Sequence, residues 1–164
     1  MSTAQPNRQS AEARRSAEAQ VRALVGKFAP EHLRLVNAMR RSLRKRLPTA
    51  QEVVYEYRDW FVISYSPNER GYEGVLAIRG SAEGVKLYLT RGKGLPDPEK
   101  VLRGSANQVR WIEIEGASSL VRPAVARLIE EAIARSPVPF ARTGTGAVVI
   151  RSASAKKTPR RRPA

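Results

Sequence analysis

Six short runs of β-branched and aromatic residues punctuate the chain after Gln51: VVYEY, WFVISYS, GVLAI, VKLYL, RWIEIE and, much later, AVVI. Each has the length and composition of a strand, and the turn-forming segments SPNERG, RGSAEG and RGKGLPDPEKVLRGSANQ separate the second run from the third, the third from the fourth and the fourth from the fifth. A parallel crossover needs about a dozen residues or more, so the closely spaced first four runs predict an antiparallel meander.

On either side of these runs the apolar rhythm is helical. Ser10 can cap a helix continuing to about Phe28, with Val21, Leu24, Val25 and Phe28 on one stripe. Pro30 suits the first turn of a second helix that ends near Leu47, before Pro48. In that helix Leu33, Val36, Met39, Leu43 and Leu47 share one side, while Arg34, Arg41, Arg44 and Lys45 gather on the other. A third helix is expected from a cap at Ser118 or Ser119 to Arg135, burying Leu120, Val121, Val125, Leu128, Ile129 and Ile133. Helices before and after a run of strands predict an α+β fold: a mainly antiparallel sheet of about five to six strands with the helices packed on one face. The 164 residues suit a single domain, expected over 10–151, with a disordered polar segment at 1–9 and a disordered basic tail at 152–164.

Charge follows this division. The formal net charge is +15; the first fifty residues hold eleven Lys/Arg and three Asp/Glu, residues 51–150 are nearly balanced, and the last fourteen carry Arg151, Lys156, Lys157, Arg160, Arg161 and Arg162 with no acid. End-loaded basic charge points to a polyanion partner, nucleic acid first, met by the tail and by Arg34, Arg41, Arg44 and Lys45; the alternative is a solvated helix face and a solubilising tail. Thr158-Pro159-Arg160-Arg161 resembles the Ser/Thr-Pro-basic-basic repeat of histone-type tails.

Catalytic signatures are thin. With no cysteine, thiolate metal sites and cysteine nucleophiles are excluded, and the single histidine, His32, sits beside an apolar arc with no serine at a nucleophile turn. RGKGLP and TGTG lack the remaining features of a phosphate loop. No cofactor is expected, and the balance leans against an enzyme. Nor is there a secretory leader or a membrane-spanning run, so a soluble, cytoplasmic protein is expected. In LPDP, Asp97 can cap a turn or a short helix through Val101.

Tyr55, Tyr57, Trp60, Tyr88 and Trp111 come from consecutive strands. Alternation puts Ile112 and Ile114 on one side of the fifth strand and Trp111 with Glu113 on the other. These rings either complete the core or form a shallow platform for a small ligand or for nucleobases.

The order of elements, together with LPTAQEVVYEYRDW (47–60), GLPDPEKVLRGSANQVRWIEI (94–114) and the basic ending VVIRSASAKKTPRRRPA, resembles the bacterial YdhG-like family, in particular a longer-tailed subgroup. The resemblance implies the same α+β fold. Some members carry a frataxin-like iron-chaperone label, which would imply carboxylate-rich metal contacts from acids such as Glu52, Glu56, Asp59, Glu113 and Glu115; the bland alternative makes these a solvated strand face. The basic opening helices depart from the acidic first helix that such an activity uses, so no metal site is expected.

Overall fold

The computed structural model describes residues 9–152. The five tail residues Lys156, Lys157, Arg160, Arg161 and Arg162 therefore lie outside the described residues, as do residues 1–8.

Three helices, α1 (Ala11–Phe28), α2 (Leu33–Arg46) and α3 (Pro123–Ala134), pack on one face of a six-stranded sheet. The strands are β1 (Gln51–Glu56), β2 (Trp60–Ser66), β3 (Leu76–Ser81), β4 (Gly84–Leu89), β5 (Arg110–Ile114) and β6 (Val148–Ser152), in the spatial order β5-β4-β3-β2-β1-β6. β1 to β5 form the expected antiparallel meander, and β6 adds parallel to β1 at the far edge. The fold is α+β, as expected.

Local chemistry explains the boundaries. The Ser10 hydroxyl accepts the Ala13 N–H at 3.1 Å and starts α1. α1 buries Ala17, Val21, Leu24 and Val25, and α2 buries Val36, Met39 and Leu43, against Val54, Phe61, Ile63, Ile78 and Leu87 of the sheet. Gln9, in the polar segment, donates to the Val148 carbonyl at 2.8 Å and accepts its N–H at 3.0 Å, so it caps the exposed edge of β6 as one more strand residue would. Arg14 secures the same edge by donating to the Gly146 carbonyl at 2.7 Å.

Three elements begin later than expected. Pro30 opens a 3-10 turn, Pro30–His32, and α2 itself begins at Leu33. The third helix does not start at Ser118 or Ser119: residues Ala117–Val121 form a 3-10 turn, and α3 opens on Pro123 with Arg122 as its cap. Proline lacks the N–H that a helix interior needs and its ring would strike the carbonyl four residues back, at Ser119, whereas at the first helical position it costs nothing. Val121, expected inside, is in consequence 66% exposed. The third strand is not GVLAI but Leu76–Ser81, because the turn to β4 uses only Ala82 and Glu83: Ser81 pairs with Gly84, whose φ of +139° is glycine's territory, and the Ser81 hydroxyl accepts the Glu83 N–H at 3.1 Å. Arg79, read from the sequence as part of a turn, is thereby a mid-strand residue. Asp97 caps a turn, not a helix: its two carboxylate oxygens accept the Val101 and Leu102 N–H groups, each at 2.9 Å.

Candidate functional site

The sheet face turned away from the helices is built in rows by the strand register. One row runs Val53, Ser64, Ala77, Tyr88, Trp111 across β1 to β5, and the next runs Tyr55, Val62, Arg79, Lys86, Glu113. The β2–β3 loop folds over one end of this face. There the Ser64 hydroxyl donates to the Gly71 carbonyl at 2.8 Å and the Ser66 hydroxyl to the Arg70 carbonyl at 2.7 Å, which explains why Val53 is fully buried on a face with no helix. The backbone of this loop comes so close that a Cβ at Gly71 would overlap the Tyr55 phenol. Burial raises the pKa of that phenol, with Arg151 opposing the rise.

Beyond the loop the face is open, and there Tyr57, Trp60, Tyr88 and Trp111 continue the row of rings that begins with Tyr55 under the loop. Tyr55 and Tyr57 have ring centroids 6.4 Å apart, Tyr57 stacks on Trp60 at 5.1 Å, and Tyr88 stacks on Trp111 at 6.4 Å. Arg79 joins the two groups: its guanidinium carbon lies 4.4 Å from the Trp60 centroid and 5.8 Å from that of Tyr88, and its Nη1 donates to the Tyr88 hydroxyl at 3.3 Å. Lys86 lies 4.2 Å over Trp111. The result is a continuous ladder of rings and cations from β1 to β5, roughly 19 Å across at about 4.8 Å per strand. Between it and the Gly71–Tyr72 backbone runs a groove of about 400 Å³, with Ala77 and Val62 among its lining residues.

Sequence reasoning missed Arg79 and Lys86, although the alternation that placed Trp111 also places them: Arg79 lies between Ile78 and Gly80, and Lys86 between Val85 and Leu87. Taking Arg79 for a turn residue hid it.

The basic candidates on α2 are only partly a surface. Arg34, Arg41 and Lys45 are exposed on the helix layer, on the opposite side of the molecule from the aromatic face. Arg44 is not one of a free basic set: its Nη1 donates to Glu18 at 3.2 Å and to Glu52 at 3.0 Å. Arg40, omitted from the basic set, sits inside the apolar stripe four residues from Val36 and three from Leu43, and is only 4% exposed. Its Nε and Nη2 clasp Glu52 at 3.0 and 2.9 Å, while Nη1 and Nη2 clasp Glu18 at 2.8 and 3.0 Å. The Tyr65 hydroxyl completes the cluster by donating to Glu52 at 2.5 Å.

This overturns the reading of Glu52 as part of a solvated strand face. It is 1% exposed and turned toward the helices, because β1 begins with Gln51 on the open side and alternation then sends Glu52 inward. Burial alone would raise its pKa, but the bonds from Arg40 and Tyr65 outweigh that and hold it below the usual carboxylate value; at Glu18 burial is likewise outweighed, by Arg40 and Arg44. Tyr65 is pushed well above its ordinary value by burial and by the adjacent Glu52 charge. Of the other acids, Glu56 pairs with Lys27 at 2.7 Å, and Asp59, Glu113 and Glu115 are exposed. Among the described residues no three His, Cys, Asp or Glu side chains come together as a metal site would require. Arg151 belongs to β6, opposite Tyr55 in register, where it meets Glu69 at 3.6 Å. No helix among the described residues is long and apolar enough to cross a membrane.

Comparison with family models, with curated proteins and with solved structures found no match.

Proposed function

We propose that this chain is a non-enzymatic accessory protein that binds single-stranded nucleic acid with little sequence discrimination, laying the bases on the aromatic face of the sheet. The observation that carries the reading is the alternation of Trp60, Arg79, Tyr88, Lys86 and Trp111 on adjacent rows of an uncovered sheet. Aromatic rings stack unpaired bases for about 1 to 3 kcal/mol each, without regard to sequence, and an arginine held flat by a ring keeps its N–H edge turned outward for phosphate. A duplex hides its base faces and could use only the cations, so the rings favour a single strand. The net charge of +15, with five Lys/Arg and no acid among residues 153–164, adds sequence-independent attraction. A single sheet of this width suits about four nucleotides, the lower end for one-domain single-strand binders. YdhG-like membership and a bacterial source belong to the same proposal and rest on the three sequence resemblances, and a cytoplasmic setting rests on a chain without cysteine.

Both tryptophans of the chain, Trp60 and Trp111, lie on this face, so intrinsic fluorescence reports on the site directly. Titration with an unstructured oligothymidylate at low salt is expected to quench that emission in saturable fashion, and duplex DNA of equal length to quench it far less. Unchanged emission with both would sink the proposal. Quenching by a small anion alone, undiminished by salt, would favour a pocket for a small ligand instead.

A further inference from the structure

The groove on the aromatic face does not stop at the edge of the sheet. Tyr72, 76% exposed, together with Thr90 and Val109, also lines a second and larger pocket of about 490 Å³ that turns round the ends of β3 and β4. Val75 and Leu95 give it an apolar wall, and the last turn of α3 with Val138 faces them from the far side. Its size is within the range of small-molecule sites, about 300 to 1,000 Å³.

Two arginines, Arg91 and Arg135, line this pocket. Arg91 is exposed and has no side-chain partner among the described residues. Arg135 is fixed in place by donating from Nε to Glu131 and from Nη1 to the Gly94 carbonyl, both at 3.0 Å, which leaves Nη2 uncommitted. The acid that also lines the pocket, Glu73, is engaged elsewhere: Asn68 donates to it at 2.6 Å and Arg70 lies 3.5 Å away. The pocket thus combines an apolar body with a rim carrying the unpaired Arg91 guanidinium and, from the ion-paired Arg135, a free Nη2 donor, chemistry that suits a ring bearing a phosphate.

From this we infer that the pocket takes a nucleoside monophosphate unit, its phosphate between Arg91 and Arg135, supplied as the phosphorylated end of the strand lying on the aromatic face. The inference rests on the single-strand reading. A free mononucleotide offers the same chemistry; the shared residues Tyr72, Thr90 and Val109 favour a strand end, because a chain following the groove runs into the pocket and meets α3 there.

Fluorescence titrations with three oligothymidylates of one length separate the cases: linear with phosphorylated ends, linear with hydroxyl ends, and circular. The phosphorylated strand is expected to bind about tenfold more tightly than the circle, the worth of one charge-assisted contact. Arg91→Gln and Arg135→Gln should each reduce that preference, the double substitution should erase it, and all three should leave binding of the circle unchanged. Equal affinity of all three strands in the unaltered protein overturns the inference while leaving the single-strand reading intact. If none of the strands binds, that reading fails, and calorimetry with adenosine monophosphate decides the pocket by itself: heat that disappears in Arg91→Gln sustains it as a free-nucleotide site, and no heat overturns it.

Discussion

The Arg79 guanidinium lies 4.4 Å over the Trp60 ring while donating to the hydroxyl of Tyr88 two strands away from Trp60, so one side chain ties both halves of the aromatic face together. Arg79→Ala should therefore do more than remove one charge. It is expected to weaken single-strand binding by more than about tenfold, since stacking support and phosphate contact are lost together. Arg79→Lys should recover the salt dependence but little of the affinity, because an ammonium cannot stack as a plane or donate as a fork. Full recovery by lysine would show that charge alone matters at this position.

Acid should unfold the protein through the Glu18–Glu52 cluster. Both carboxylates sit below their ordinary pKa of 4.5, so the unfolded chain takes up protons first as pH falls. Their stabilisation is complete above about pH 5 and is lost as pH falls through the lowered folded values. Glu52→Gln should cost about 3 kcal/mol at neutral pH, as breaking a buried pair does, and should flatten the decline in Tm below pH 5. A Tm profile of unchanged steepness in acid would contradict this.

Tyr65 gives the opposite limb. Its folded pKa is raised well above 10.0, so its contribution is intact below that value and is lost as pH rises above it, when the unfolded phenol ionises and the buried one does not. Tyr65→Phe, which keeps the ring but removes the donor to Glu52, is expected to lower stability by about 1.5 to 3 kcal/mol and to reduce the alkaline decline. Thermal melts at pH 7 and pH 11 would check both effects.

Removing residues 153–164 deletes five positive charges. If all five meet phosphate on a single strand, the log-log salt slope should flatten by up to about 3.5 units, at about 0.7 per contact. Tm should hold nearly constant, because the core and the β6 pairing lie wholly within the described residues. Undiminished slope and affinity after truncation would confine binding to the sheet face.

The architecture was open to sequence reasoning wherever periodicity carries it. Alternation located the strands, short connections made the meander, and Ser10 marked the start of α1, whereas Pro30 marked a 3-10 turn that leads into α2. Pro123 carried an equally plain signal for the start of α3. The β1–β6 pairing had no such signal, since parallel addition across some ninety residues depends on where the helices leave an edge uncovered. The aromatic side of the site was readable because Trp111 alternates with Ile112; its cations were readable by the same rule, yet a misjudged turn concealed Arg79. Alternation with Val54 turns Glu52 inward as well, but the pairing of Arg40 with Glu52 could not be found in this way. A charged residue inside an apolar stripe is ordinarily taken as surface, and only the packing of α2 over β1 shows that each neutralises the other.

Gln9 bonded to both backbone groups of Val148 means that the two ends of the folded body are neighbours, although 139 positions separate them along the chain. From Val148 to Ser152 the strand extends roughly 13 Å at about 3.3 Å per residue, a span that a flexible peptide of about six residues covers. The backbone can thus be closed into a ring and reopened elsewhere. Residues 103–108, exposed throughout and outside the sheet apart from the bridge at Arg103, are the natural place for new ends. A permuted chain beginning there would run through β5, α3 and β6, cross the short link into α1 and α2, and only then enter β1, ending on β4 with the aromatic face unaltered.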